Sequence, residues 1–191
     1  MKLINKIIFS GRLPSDEFEF SKKLVLNNQL LLLIIAVSSP YIILFSLIGT
    51  KTYGLIVALV DLIFIGCLFL NHKRLLLISR LLFVNSLTTL IYCYASIFGP
   101  KSGLQFSLII VFAISFIIFE KNQTIWKVLS AIYPILSFFI LEIYNYAFFN
   151  HFELTHLQYK GLACLVYFCV ALMVGFIIQF LLNINSLLHT I

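Results

Sequence analysis

From Gly161 to Leu182 the chain carries no Asp, Glu, Lys or Arg. A helix of roughly 20 apolar residues is what the ~30 Å hydrocarbon core of a bilayer requires. Comparable runs lie at about Leu30 to Ile48, Tyr53 to Leu70, Leu75 to Phe98, Gly103 to Phe119 and Ile125 to Tyr144. Short polar turns separate them. Six such runs predict an all-α polytopic membrane protein, a six-transmembrane helix bundle. Composition agrees: 62% of the 191 residues are hydrophobic and 10% charged, against about 25% charged in a soluble domain. The spans use most of the length, which leaves no room for a soluble catalytic domain.

Three segments follow: an N-terminal segment over 1–28 at the membrane surface, the six-helix domain over 29–183, and a helical exit over 184–191. The first segment is basic and amphipathic. Leu3, Ile4, Ile7, Ile8 and Phe9 alternate with Lys2 and Lys6, and Gly11 breaks the pattern. Ser15 is a candidate N-cap for a second helix, with Asp16 and Glu17 in the first turn, where the helix dipole favours acids. With Phe18, Leu24 and Val25 it predicts an interfacial helix. No small-residue cleavage site of a signal peptide follows the first apolar stretch.

Proline marks two spans. Pro40 follows Ser38 and Ser39, whose hydroxyls can satisfy the carbonyls that a proline frees, and Pro134 interrupts the fifth span. Arg80 lies near the start of the third span, within snorkelling reach of the interface. The longest loop, about Asn145 to Lys160, is aromatic. Cys67, Cys93, Cys164 and Cys169 fall inside apolar runs with no CxxC spacing, as small buried hydrophobes do.

Charge sets the expected orientation. Six spans put both ends on one side, with Lys2, Lys6, Arg12, Lys22, Lys23, Lys73, Arg74, Arg80, Lys121 and Lys127; Lys51, Lys101 and Lys160 fall on the other. Basic residues favour the cytoplasm, so both termini are expected there, in an inner membrane. The net charge of +6 is thus a topology signal, and no nucleic-acid partner is implied.

No phosphate-binding glycine loop, HExxH or nucleophile–base spacing is present, so no catalytic residue and no cofactor is assigned. His151 and His156 flank Glu153 in a loop; a hydrated loop accounts for them, and no metal site is assigned. Acids inside spans are functional hypotheses by default. Asp61 sits near mid-depth, with Asn85, Ser86 and Thr88 at comparable depth. Asp61 and Asn85 are therefore the candidate intramembrane switch, with a structural polar clamp as the alternative. Glu142 lies near the outer end of the fifth span, level with Gln105, and the loop residues His151 and His156 are close to that level. Gln105, Glu142, His151 and His156 are the candidate ligand site, an outward-facing pocket roofed by Tyr146, Phe148, Phe149 and Phe152.

Four stretches carry a family likeness: Lys22–Gln29 entering the first span, Phe98-Gly-Pro-Lys-Ser-Gly-Leu-Gln-Phe106 at the second outer turn, Phe119-Glu-Lys121 at the inner turn, and Leu141–Phe149 before the last loop. With them the chain resembles the six-helix N-terminal membrane sensor domain of bacterial histidine kinases and class III nucleotidyl cyclases. The resemblance implies a sensory or receptor domain, part of a two-component or cyclase system. It would act as a homodimer and relay its signal through the last helix to a cytoplasmic effector. This chain departs from the pattern by ending at Ile191 with no kinase or cyclase domain, so it is not expected to be an enzyme. A small ion- or proton-coupled transporter or channel, and a membrane scaffold subunit, are the alternatives.

Overall fold

Buried positions recur at helical spacing along every long apolar run. In a computed structural model, which describes residues 2–12, 18–48, 50–149, 152 and 154–188, all regular structure is helical. Helix α1 spans Lys2–Ile8, α2 Phe18–Leu47, α3 Lys51–His72, α4 Leu76–Phe98, α5 Phe106–Ile118, α6 Thr124–Ile143 and α7 His156–Leu188. One 3-10 turn, Pro100–Ser102, precedes α5, and another, Lys121–Gln123, precedes α6. Five helices are long and apolar enough to cross a membrane. Helix α5 is shorter: its 13 residues span about 20 Å, less than the hydrocarbon core.

Helix α4 is the hub, packed against α2, α3, α5 and α6. Helix α3 shows how the sequence sets the packing. Its buried residues are Gly54, Val57, Asp61, Phe64, Cys67 and Asn71, a single stripe at three- and four-residue spacing. Gly54 lets α3 approach α2 closely, since a Cβ there would meet the Ile42 carbonyl oxygen at 3.1 Å. Helix α6 buries Ser130, Ala131, Pro134, Ser137 and Leu141. That mostly small stripe admits α5, while Ile125, Leu129, Ile132, Leu136, Phe139 and Ile143 stay exposed for lipid.

Both prolines have their freed carbonyls covered. Pro40 releases the Ala36 carbonyl, and the Ser39 hydroxyl donates to it at 3.0 Å. Pro134 releases the Ser130 carbonyl, which lies 3.2 Å from the Ser115 hydroxyl of α5; that one proton is shared with the Val111 carbonyl at 2.9 Å. The first repair is local and was expected; the second comes from a neighbouring helix.

Three expectations change. The second N-terminal helix is not separate from the first span: α2 runs unbroken from Phe18, and its N-cap candidate Ser15, with Asp16 and Glu17, lies outside the described residues. Ser21, Leu24 and Leu26 in its first turns are buried in protein, because α2 must reach far enough to pack its own start. Ser102, which by sequence is a candidate N-cap for the next helix, does not cap α5. It lies in the 3-10 turn, donates to the Gly99 carbonyl at 2.7 Å and accepts the Leu104 N–H at 3.4 Å. Arg80 does not snorkel, being wholly buried at 0% exposure. Its partner sits at the end of α5, so reaching inward satisfies it better than reaching out.

Candidate functional site

A polar lock at one end of the bundle and an aromatic cluster at the other flank an apolar cavity. At the basic end, Arg80 Nη1 donates to Glu120 Oε1 at 2.9 Å and to Gln123 Oε1 at 2.9 Å. Glu120 and Gln123 are themselves a reciprocal capping box at the start of the 3-10 turn before α6, in which each side chain satisfies an orphan backbone donor. One guanidinium thus ties α4 to the α5–α6 turn. Its Nε and Nη2 are buried without a protein partner. Lys23 of α2 donates to the Ile117 carbonyl at the end of α5.

Beside this lock lies an amide network. Asn27 Nδ2 donates to Asn71 Oδ1 at 3.1 Å, and Asn71 Nδ2 donates to Asn28 Oδ1 at 2.8 Å. Asn28 Nδ2 faces the carbonyls of Ile7, Ile8 and Ser10 at 3.0–3.3 Å, capping the end of α1. Ser79 donates to the Cys67 carbonyl at 3.0 Å. All four side chains are at 0% exposure, and buried amides are tolerated when bonded. Sequence reading assigned this network no role. Its legible signal was Asn27 and Asn28 inside an apolar helix.

At the opposite end, rings fill the space. Phe45 stacks on Phe98 at 5.2 Å with planes 4° apart, and Tyr53 meets Phe98 edge-on at 5.5 Å. Phe152 closes over both, its N–H bonded to the Ile97 carbonyl at 3.0 Å. Tyr94 donates to the Tyr53 carbonyl. Aromatic packing of this kind adds roughly 0.5–1.5 kcal/mol per pair beyond burial.

Two of the outward-facing candidates, Gln105 and Glu142, bond within their own stretches of chain. Gln105 is buried, with its Nε2 bonded to the Pro100 carbonyl at 3.1 Å in its own turn and its Oε1 unpartnered. Glu142 is exposed and accepts a hydrogen bond from the Tyr146 hydroxyl. Burial, and then that carboxylate, push the Tyr146 pKa up. His156 is exposed at the first position of α7, and His151 lies outside the described residues. The roof residues Tyr146 and Phe152 are held by the bundle: Ser96 donates to the Tyr146 carbonyl at 3.2 Å. Among the described residues no three His, Cys, Asp or Glu side chains cluster.

The two intramembrane candidates part. Asp61 bonds Ser38 of α2 at 2.7 Å, whereas Asn85 is exposed on α4. A stripe that buries Val84 and Thr88 turns position 85 outward. Ser38 is within reach of two acceptors, Asp61 Oδ1 and the Ile35 carbonyl at 3.0 Å. A hydroxyl has one proton, so the Asp61 carboxylate and the Ile35 carbonyl compete for it.

Between the lock and the aromatic cluster lies a cavity of ≈ 120 Å³ bounded by α2, α4, α5 and α7. Ile34, Leu87, Ile91, Val111, Ile114 and Met173 give it apolar walls, and the hydroxyl residues Ser38, Tyr41, Tyr94 and Ser107 are spaced around it. An apolar cavity of about 150 Å³ stays dry and takes up benzene or xenon, so this one is sized for a small apolar group. Tyr41 of α2 and Cys169 of α7 both line it.

No protein-family model, no curated protein and no solved structure matches the chain. The site therefore rests on its own geometry.

Proposed function

We propose that this chain is a sensory membrane domain in which a small apolar molecule, or an apolar part of a lipid-like one, occupies the cavity between α2, α4, α5 and α7. The cavity carries the reading: four helices meet at it, and α7 contributes Cys169, Val170 and Met173 to its wall. Filling it would bias the packing between two arrangements. The Arg80–Glu120 lock and α7 would pass the change toward a cytoplasmic effector. Homodimerisation through α7 belongs to the same reading, because α7 packs chiefly on α5 and the 3-10 turn and leaves Phe168, Leu172 and Ile178 exposed. An inner-membrane location with both termini cytoplasmic follows the asymmetry of Lys and Arg.

The test uses benzene as a probe with the purified full chain in detergent. Benzene is expected to raise the unfolding temperature of the wild type, and Ile114→Phe, which fills the cavity, to abolish that rise. Equal rises in both proteins overturn the site. A proton-coupled transporter is the second reading, favoured by the acid Asp61 bonded to a cavity-lining serine. Proteoliposomes decide between them: proton flux lost in Asp61→Asn supports the transporter, and no flux above empty vesicles supports the sensor.

A further inference from the structure

We propose that α1 and the α3–α4 turn together form a binding site for anionic phospholipid headgroups. The inference does not depend on the sensor reading. Chain positions some sixty residues apart meet here. Ser10 Oγ lies 2.9 Å from His72 Nδ1. Gly11, at φ 84°, seats so closely that a Cβ would lie 2.5 Å from the Asn71 carbonyl oxygen. The Asn28 amide fixes the end of α1 from beneath. These contacts seat the chain just before Arg12 against Asn71 and His72, at the start of the turn that carries Lys73 and Arg74, with Lys6 in the last turn of α1.

Lys6, Arg12 and Lys73 are exposed. Arg74 lies over the Phe20 ring, 5.0 Å from its centroid. Glu120 at this end is engaged by Arg80, and Glu19 lies in the first turn of α2. The turn joins two helices long enough to span a membrane, which places it at the boundary between water and lipid. Beside the cations, Ile4 and Phe9 are 54% and 50% exposed. Apolar side chains interleaved with cations on a surface helix suit a headgroup and its acyl chains. A soluble phosphate or a phosphorylated peptide gains nothing from Ile4 and Phe9. Juxtamembrane cations attract anionic lipid by about fivefold each.

The experiment is native mass spectrometry of the full chain released from nanodiscs containing phosphatidylcholine and phosphatidylglycerol in equal amounts. The wild type is expected to retain phosphatidylglycerol preferentially and to lose that preference in 1 M salt. Lys6→Gln/Arg12→Gln/Lys73→Gln is expected to lower the preference at least tenfold. Lys6→Arg/Lys73→Arg is expected to keep it. Equal retention of the two lipids by the wild type, or an unchanged preference in the triple variant, overturns the site. Displacement of the lipid by millimolar inorganic phosphate also overturns it, in favour of a free-anion site. The salt and phosphate arms use the wild-type chain and hold whether or not the triple variant folds.

Discussion

Arg80 and Glu120 show what one residue can decide in this bundle. A buried arginine without its acid is an uncompensated charge, and breaking such a pair costs about 3–5 kcal/mol. Glu120→Ala is therefore expected to lower thermal stability in detergent severely. Arg80→Met/Glu120→Leu, which removes both charges, is expected to recover most of the loss. A double variant as unstable as Glu120→Ala would show that the capping box, not the ion pair, holds the turn. Neither partner was legible as such. Arg80 stands close enough to a helix start for snorkelling to be the simpler expectation, and Glu120 lies in a turn where acids are ordinarily solvated. Only the end of α5 arriving beside α4 joins them. Asp61 was legible as an important residue, since an acid amid apolar residues is costly. Its partner was not, because depth along the sequence says nothing about which way a helix is rotated.

At the scale of helices, α5 and α6 are joined where a proline breaks the backbone ladder. The Ser115 hydroxyl reaches the Ser130 carbonyl that Pro134 frees. Interhelical hydrogen bonds in membranes average about 0.6 kcal/mol. Ser115→Ala is expected to cost about that much in wild type and nearly nothing in a Pro134→Ala background, where the helix can use its own donor. Equal costs in both backgrounds would separate the serine from the proline. The proline positions were readable from sequence, as was the local repair by Ser39. The repair by Ser115 was not, since it depends on α5 and α6 packing side by side. Helix α5 begins at Phe106, three residues later than the run from Gly103 suggested, because Gly103 to Gln105 do not continue the helix. Their backbone instead forms a buried turn, with Gly103 at φ 72° against the Tyr167 ring.

For the whole molecule, the proposed orientation counts Lys and Arg on each side of six crossings, with one deduction. Arg80 is buried within the bundle, which leaves nine basic residues facing three. Orientation can be checked by labelling single cysteines in a background with Cys67, Cys93, Cys164 and Cys169 replaced. Lys51→Cys and Lys160→Cys are expected to react with a membrane-impermeant reagent in intact cells. Lys73→Cys and Lys127→Cys are expected to react only after the membrane is opened. The reverse pattern would invert the relation between the cavity and any cytoplasmic effector.

The sequence alone determined that this is a helical chain with several membrane-length apolar segments. Length and hydrophobicity are one-dimensional properties, and lipid selects on them directly. It also marked the residues whose presence in an apolar run is costly: Asp61 and the two prolines. Only the tertiary structure decided how each cost is met. Asp61 turned to Ser38, Arg80 to Glu120, Asn28 to the end of α1 and Ser115 to α6. It also put the empty space between α2, α4, α5 and α7 rather than at the aromatic rim, where Phe45, Tyr53, Phe98 and Phe152 close on one another. The physical reason is helix rotation. A turn of 100° per residue sends neighbouring side chains to different partners, and only packing fixes the phase.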